Sequence, residues 1–131
     1  MELYLVRHAD AAPGEPDELR ALTPFGVKQA RELGERLAAE GVRADAVLTS
    51  PLLRARQTGA ELARPAGLEA EPDERLAPGA TFDDVLAAVT GRGAVVVAVG
   101  HQPDCSLITE ALTGEERPFA PATFARIELN D

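Results

Sequence analysis

Residues 94–101 read AVVVAVGH, a run of apolar and mostly β-branched side chains with no polar alternation, closed by Gly100 and His101. A strand with one solvated face alternates apolar and polar residues. An unbroken run therefore predicts a strand covered on both faces, at the centre of a sheet with helices above and below. Gly100-His101-Gln102-Pro103 then turns the chain into a helix that ends near Leu112.

Working outward, Glu2 to Val6 reads as a short strand running into Arg7-His8 and then a loop rich in Pro and acid through Arg20. Thr23-Pro24 pairs an N-cap with proline at the first helical position. Val27, Ala30, Leu33, Gly34, Leu37 and Ala38 follow at helical spacing, and Gly41 is placed to end that helix. Ala46 to Thr49 is a second short strand, and Ser50-Pro51 repeats the cap-plus-proline signal before a helix reaching about Arg64. A weaker strand is expected at Leu68 to Glu71, and a helix capped by Thr81 through about Val89. An alternating edge strand closes the chain at Thr123 to Leu129. Strands alternating with helices predict an α/β fold with a mainly parallel sheet, whose ligands gather at the carboxyl ends of the strands. At 131 residues and 45% apolar composition, the expectation is one domain, 1–131, with one core.

A net charge of −9 argues against nucleic acid and anionic membrane surfaces as partners, because both attract Lys and Arg. The single Cys105 forms no internal disulfide. With two histidines it falls short of a closed zinc site, so neither metal nor cofactor is expected. The start MELYLVRH lacks a basic leader and a long apolar stretch, and no segment approaches the roughly 18 apolar residues of a membrane span. The chain is therefore expected to be cytoplasmic.

Both histidines directly follow predicted strands, and parallel strands put His8 and His101 on the same rim. Arg54 falls in the first turn of the helix after Ser50-Pro51, where the positive end of the helix dipole disfavours a cation by about 0.3–1 kcal/mol. A bound anion would offset this, since helix N-terminal amides and a guanidinium both point at negative charge. Arg7, His8, Arg54 and His101 together predict a cationic pocket for a tetrahedral oxyanion, most naturally phosphate. At about 4 Å and an effective dielectric near 20, each guanidinium attracts a unit negative charge by about 4 kcal/mol. Distant acids are screened over about 8 Å, so the pocket stays positive despite the overall charge. Other polar residues read as structural: Asp10 as a loop cap, Ser50 as an N-cap, Arg56 as a solvated charge off the face of Arg54, Asp104 as a first-turn acid, and Cys105 as a buried inert thiol.

The segments LVRHAD (5–10), LTPFGVKQA (22–30), LTSPLLRARQT (48–58) and VVAVGHQPDCSLI (96–108), in that order and spacing, resemble the histidine phosphatase superfamily, and within it the short SixA-like phosphohistidine phosphatase branch. The resemblance spans nearly the whole chain. It implies a three-layer α/β/α sandwich with a mainly parallel sheet and one antiparallel edge strand. It also implies a metal-independent phosphatase with His8 as nucleophile, in which Arg7, Arg54 and a protonated His101 hold the transferred phosphoryl group. Two positions depart from the pattern. Ala9 stands where Gly is usual, and Leu76-Ala77 is followed by Pro78 where many relatives carry a glutamate acid.

A proline donates no proton, and a phosphorylated imidazole needs none from the enzyme, because its own ring titrates near neutral pH. The SixA-like branch shares this lack. The expected substrate is therefore phosphohistidine on a histidine-containing phosphotransfer or sensor protein, with Asp83 and Asp84 left as alternative proton donors. Two other functions share the pocket: a phosphomonoesterase for a small phosphorylated metabolite such as a sugar phosphate or nucleotide, and a noncatalytic module that binds phosphorylated partners.

Overall fold

The AVVVAV run forms β4 (Val95–Gly100), which lies between β1 (Glu2–Arg7) and β2 (Ala46–Thr49) in a computed structural model that describes residues 1–130. Among the described residues the sheet has five strands in the order β3-β2-β4-β1-β5, with β3 at Ala70–Pro72 and β5 at Phe124–Glu128. The pairs β1–β4, β2–β4 and β2–β3 are parallel, and β5 closes the edge antiparallel to β1. The helices are α1 (Pro24–Ala39), α2 (Leu53–Ala63), α3 (Phe82–Val89) and α4 (Asp104–Thr113).

Alternation along the strands explains the three layers. Tyr4, Val6, Val47, Val97 and Val99 pack with Leu33 and Leu37 of α1 and Ala55 and Leu62 of α2. Their sequence neighbours Leu3, Leu5, Leu48, Val96 and Ala98 pack on the other face with Val85 and Val89 of α3 and Ile108 of α4. Val96, Val97, Ala98 and Val99 are each at most 3% exposed, so β4 is apolar at every position because both of its faces are covered. Each such valine contributes roughly 1.5–3 kcal/mol of burial.

The helix starts follow their caps, with one exception. The Thr23 side chain accepts the Gly26 N–H, and Thr81 and Asp84 form a reciprocal capping box on α3. Ser50-Pro51 does not cap α2. That helix begins at Leu53 with no side-chain cap, and the expected Ser50 N-cap is corrected below to a different partner. The weak third strand sits at Ala70–Pro72 rather than Leu68–Glu71, because the Leu68 N–H still bonds the Ala63 carbonyl in the exit of α2.

The register of the central strands positions the site. Val6 pairs with Val99 and Arg7 with Gly100, while Thr49 pairs with Val99. The three strands thus end level, and the ladder continues one step through His8 N–H to the Gly100 carbonyl at 3.1 Å and Ser50 N–H to the Val99 carbonyl at 2.9 Å. His8, His101 and Ser50 stand side by side on the carboxyl rim.

The start of α1 is pressed against the chain just past His8. A Cβ on Gly26 would lie 2.0 Å from the Asp10 carbonyl oxygen, so only glycine permits this approach. Gly26→Ala is expected to destabilise the protein by about 1–3 kcal/mol, the usual cost of overpacking. Urea denaturation of the variant against the parent chain measures it.

Candidate active site

His8 leaves β1 with its ring 5.2 Å from that of His101, centroid to centroid, at an interplanar angle of 59°. Its Nδ1 lies 2.7 Å from the Ala9 carbonyl oxygen. A carbonyl only accepts, so Nδ1 carries the ring proton and Nε2 keeps the free lone pair. Burial is the main reason the His8 pKa is lowered, and the charges of Arg54, Arg7 and Arg20 act in the same direction. The ring is consequently neutral at pH 7 and available as a nucleophile.

Three connections hold this turn in place. The Ala9 N–H donates to Thr58 Oγ1 at 3.0 Å, and the Thr58 hydroxyl donates to the Arg54 carbonyl at 2.8 Å, which ties the exit of β1 to the first turns of α2. The Asp10 carboxylate accepts from Thr23 Oγ1 at 2.7 Å, and the Asp10 N–H donates to Gln29 Oε1 at 3.0 Å. Gln57 Oε1 accepts the Leu22 N–H at 2.8 Å. Asp10 thus serves the loop and α1, as its reading as a cap anticipated. Ala9 in place of glycine costs nothing visible: its backbone does not take a positive φ, and its methyl is buried with Leu22 and Ala30.

Arg7 and Arg54 converge on the two rings, since both charges act on His8 and on His101. Arg7 Nη1 donates to the Phe119 carbonyl at 2.8 Å. Arg54 is 7% exposed; its Nη1 donates to the Asp17 carbonyl at 2.9 Å and its Nη2 to Asp17 Oδ2 at 3.2 Å. The other Asp17 oxygen accepts from Arg20 Nη1 at 3.1 Å. Hydrogen bonds from Arg20 and then Arg54 hold the Asp17 carboxyl below the usual carboxylate range, so an anion of the chain itself lies on Arg54. Sequence reasoning did not single out Asp17, Arg20 or Thr58. The Asp-x-x-Arg spacing in a polar loop was the available signal for the first two.

Arg7 Nε, Arg54 Nε and His101 Nδ1 are buried and have no hydrogen-bond partner among the described residues. Leaving a buried polar group unmatched costs roughly 1–3 kcal/mol. Three such nitrogens, on residues whose side chains act on the His8 ring, are left without a partner from the chain itself.

His101 is 4% exposed, and its Nε2 lies 2.7 Å from Ser50 Oγ. Burial first, then the charges of His8, Arg54 and Arg7, push its pKa down to about 4. In the free protein the ring is neutral at pH 7, because desolvation and neighbouring cations outweigh the opposing Asp17, whereas the expected protonated His101 concerned the ring with a phosphoryl group bound. This has a consequence for stability. The unfolded ring titrates near 6.5 and the folded one near 4, so between these values the unfolded chain binds more protons. Stability is expected to fall as pH drops from about 6.5 to about 4, by up to about 3 kcal/mol from this group. Urea unfolding at several pH values, with His101→Gln lacking this component, checks the sign.

The remaining candidates fall outside the chemistry. Burial drives the Cys105 thiol up to about 12, in keeping with an inert thiol. Asp104 Oδ2 accepts the Gly79 N–H at 2.8 Å and holds the turn that contains Pro78. Asp84 accepts from the Thr81 N–H and hydroxyl, which lower its pKa and leave it ionised, while Asp83 is exposed. Asp84 therefore stores no proton for a leaving group. Arg56 is exposed and bonds the Pro51 carbonyl at 3.0 Å. Among the described residues no group of three or more His, Cys, Asp or Glu side chains is placed to hold a metal ion, and no helix is long and apolar enough to cross a membrane.

Comparison with known proteins gives concordant results. The family model of the histidine phosphatase superfamily (branch 1) matches residues 3–78. Phosphohistidine phosphatase SixA of Escherichia coli (strain K12) is 33% identical, over 100% of this chain and 87% of that protein. An uncharacterized protein of Picosynechococcus sp. is 40% identical, over 86% of this chain and 73% of its own length. The structure of the protein histidine phosphatase SixA complexed with tungstate superposes with a TM-score of 0.89 at 32% identity, covering 99% of this chain and 89% of that one.

Proposed function

Since the chain belongs to the histidine phosphatase superfamily and its SixA-like branch, we propose that it hydrolyses phosphohistidine on a protein, with His8 as the covalent relay. The observation that carries this reading is the set of three unmatched buried nitrogens, on Arg7, Arg54 and His101, around the neutral ring of His8.

In the first transfer His8 Nε2 attacks phosphorus in line. The new P–Nε2 bond forms as the P–N bond to the substrate imidazole breaks. The leaving ring departs neutral when its other nitrogen is already protonated, so no acid of the enzyme is required. In the second transfer water attacks the same phosphorus, Nε2 leaves with its electron pair to give the neutral Nδ1–H ring, and both protons of the water end on the phosphate oxygens as dihydrogen phosphate. Arg7 and Arg54 stabilise the equatorial oxygens in both steps, where charge is spread over all three.

Two features favour a protein as substrate. Pro78 stands in the turn where a glutamate acid would serve an alkoxide leaving group. The exposed apolar side chains of Leu19, in the loop that follows His8, and of Phe25, at the start of α1, also suit a macromolecular partner better than a small polar metabolite. The SixA relative bound to tungstate is a precedent for a tetrahedral oxyanion in this family. The deciding experiment compares kcat/KM on a histidine-phosphorylated protein with a panel of sugar phosphates and nucleotides. The protein substrate is expected to be preferred. Faster turnover of a small ester would replace this reading with a metabolite phosphatase, and turnover of neither would leave a phosphate-binding module.

A further inference from the structure

Ser50 is fully buried beside His101, and its hydroxyl has two polar neighbours. Its Oγ accepts the Leu52 N–H at 3.2 Å and lies 2.7 Å from His101 Nε2. The Leu52 amide can only donate. The single hydroxyl proton therefore has Nε2 as its acceptor among the described residues. If Nε2 held a proton instead, a buried O–H would be left with nothing to bond. A neutral His101 then keeps its proton on Nδ1, the same nitrogen that is buried without a partner.

We propose that Ser50 is a positioning residue: by donating to Nε2 it holds His101 in the Nδ1–H tautomer, so that an uncharged ring presents an N–H to the phosphoryl oxygens. The role rests on the phosphatase reading of the same site. The charged and titratable groups facing the ring are Arg7 and His8 from β1 and its exit, Arg54 from α2, and Asp17 from the loop. Asp104 and Cys105 adjoin it on α4, and the Asp104 carboxylate is engaged with Gly79. Two arginines against one nearby carboxylate, itself already bonded to Arg54 and Arg20, disfavour an imidazolium, whereas the tautomer supplies a donor without adding charge. The site thereby has its third donor at neutral pH, although the ring itself is pushed down to about 4.

Nitrogen-15 spectra of the ring at pH 7.5 test the tautomer directly, and the chain's two histidines make assignment simple. The expected spectrum of the unaltered protein has a protonated Nδ1 and an unprotonated Nε2 on His101. An Nε2–H ring or an imidazolium overturns the proposal. This readout needs no turnover, so its failure is distinct from failure of the phosphatase reading, which would show as absence of phosphate on His8.

Kinetics on a histidine-phosphorylated peptide supply the second arm. Ser50→Ala is expected to lower kcat by about 10- to 100-fold at pH 7.5, the range seen when a partner that orients a functional histidine is lost. Its activity relative to the parent should recover only as pH falls to about 4, where the ring titrates, because an imidazolium carries the Nδ1 proton whatever the tautomer. Ser50→Thr, which keeps the hydroxyl, should restore activity at pH 7.5. A Ser50→Ala protein that retains the Nδ1–H ring and loses activity equally at every pH overturns the proposal.

Discussion

Replacing His8 with alanine is expected to lower turnover of a histidine-phosphorylated protein by on the order of 10⁴- to 10⁶-fold, the scale on which a covalent nucleophile is lost. The residue is replaceable in the fold, since it is only partly buried and its backbone bond to Gly100 does not depend on the side chain. A large loss with an unchanged melting temperature would therefore be a loss of chemistry. The companion measurement is labelling: rapid quench with a phosphorus-labelled substrate should trap acid-labile phosphate on the parent protein and none on His8→Ala. A stable, unlabelled parent with full activity would mean direct attack by water.

Arg54 should show the second largest effect. It is buried, its Nε lacks a partner, and its charge acts on both rings. Arg54→Lys is expected to lower kcat by about 10²- to 10³-fold, as for removal of one preorganised oxyanion donor. A lysine keeps the charge and loses the planar fork, so it should recover little relative to Arg54→Ala. Asp17→Asn should move in the opposite direction. Its carboxylate lies on Nη2 of Arg54, and neutralising it should tighten binding of inorganic phosphate as measured by calorimetry. Weaker binding in that variant would mean that Asp17 organises Arg54 more than it competes for it.

The AVVVAV run told its own place because burial on both faces leaves no polar position, and that pattern needs no partner to be read. His8 and His101 were legible for a related reason: each directly follows an apolar strand, and parallel strands end on one rim. Arg54 was legible through its conflict with a helix dipole. The partner of Ser50 was not. A serine before a proline at a helix start has a common local use, and its actual bond reaches 51 residues along the chain to His101. The same holds for Thr58 on Ala9, 49 residues away, and for Asp17 on Arg54, 37 residues away. No local pattern selects such pairs, because they depend on which strands become neighbours and in what register.

The order of strands and helices, the rim on which the polar residues gather, and the kinds of side chain available there were determined by the sequence alone, through periodicity and caps. The protonation of those side chains was decided only by the tertiary structure. A neutral His101 and a His8 with its lone pair on Nε2 arise from desolvation, from charges contributed by β1, α2 and the loop together, and from hydrogen bonds across strand ends. Those quantities are sums over groups far apart in the chain, so they take their values only once the chain has folded.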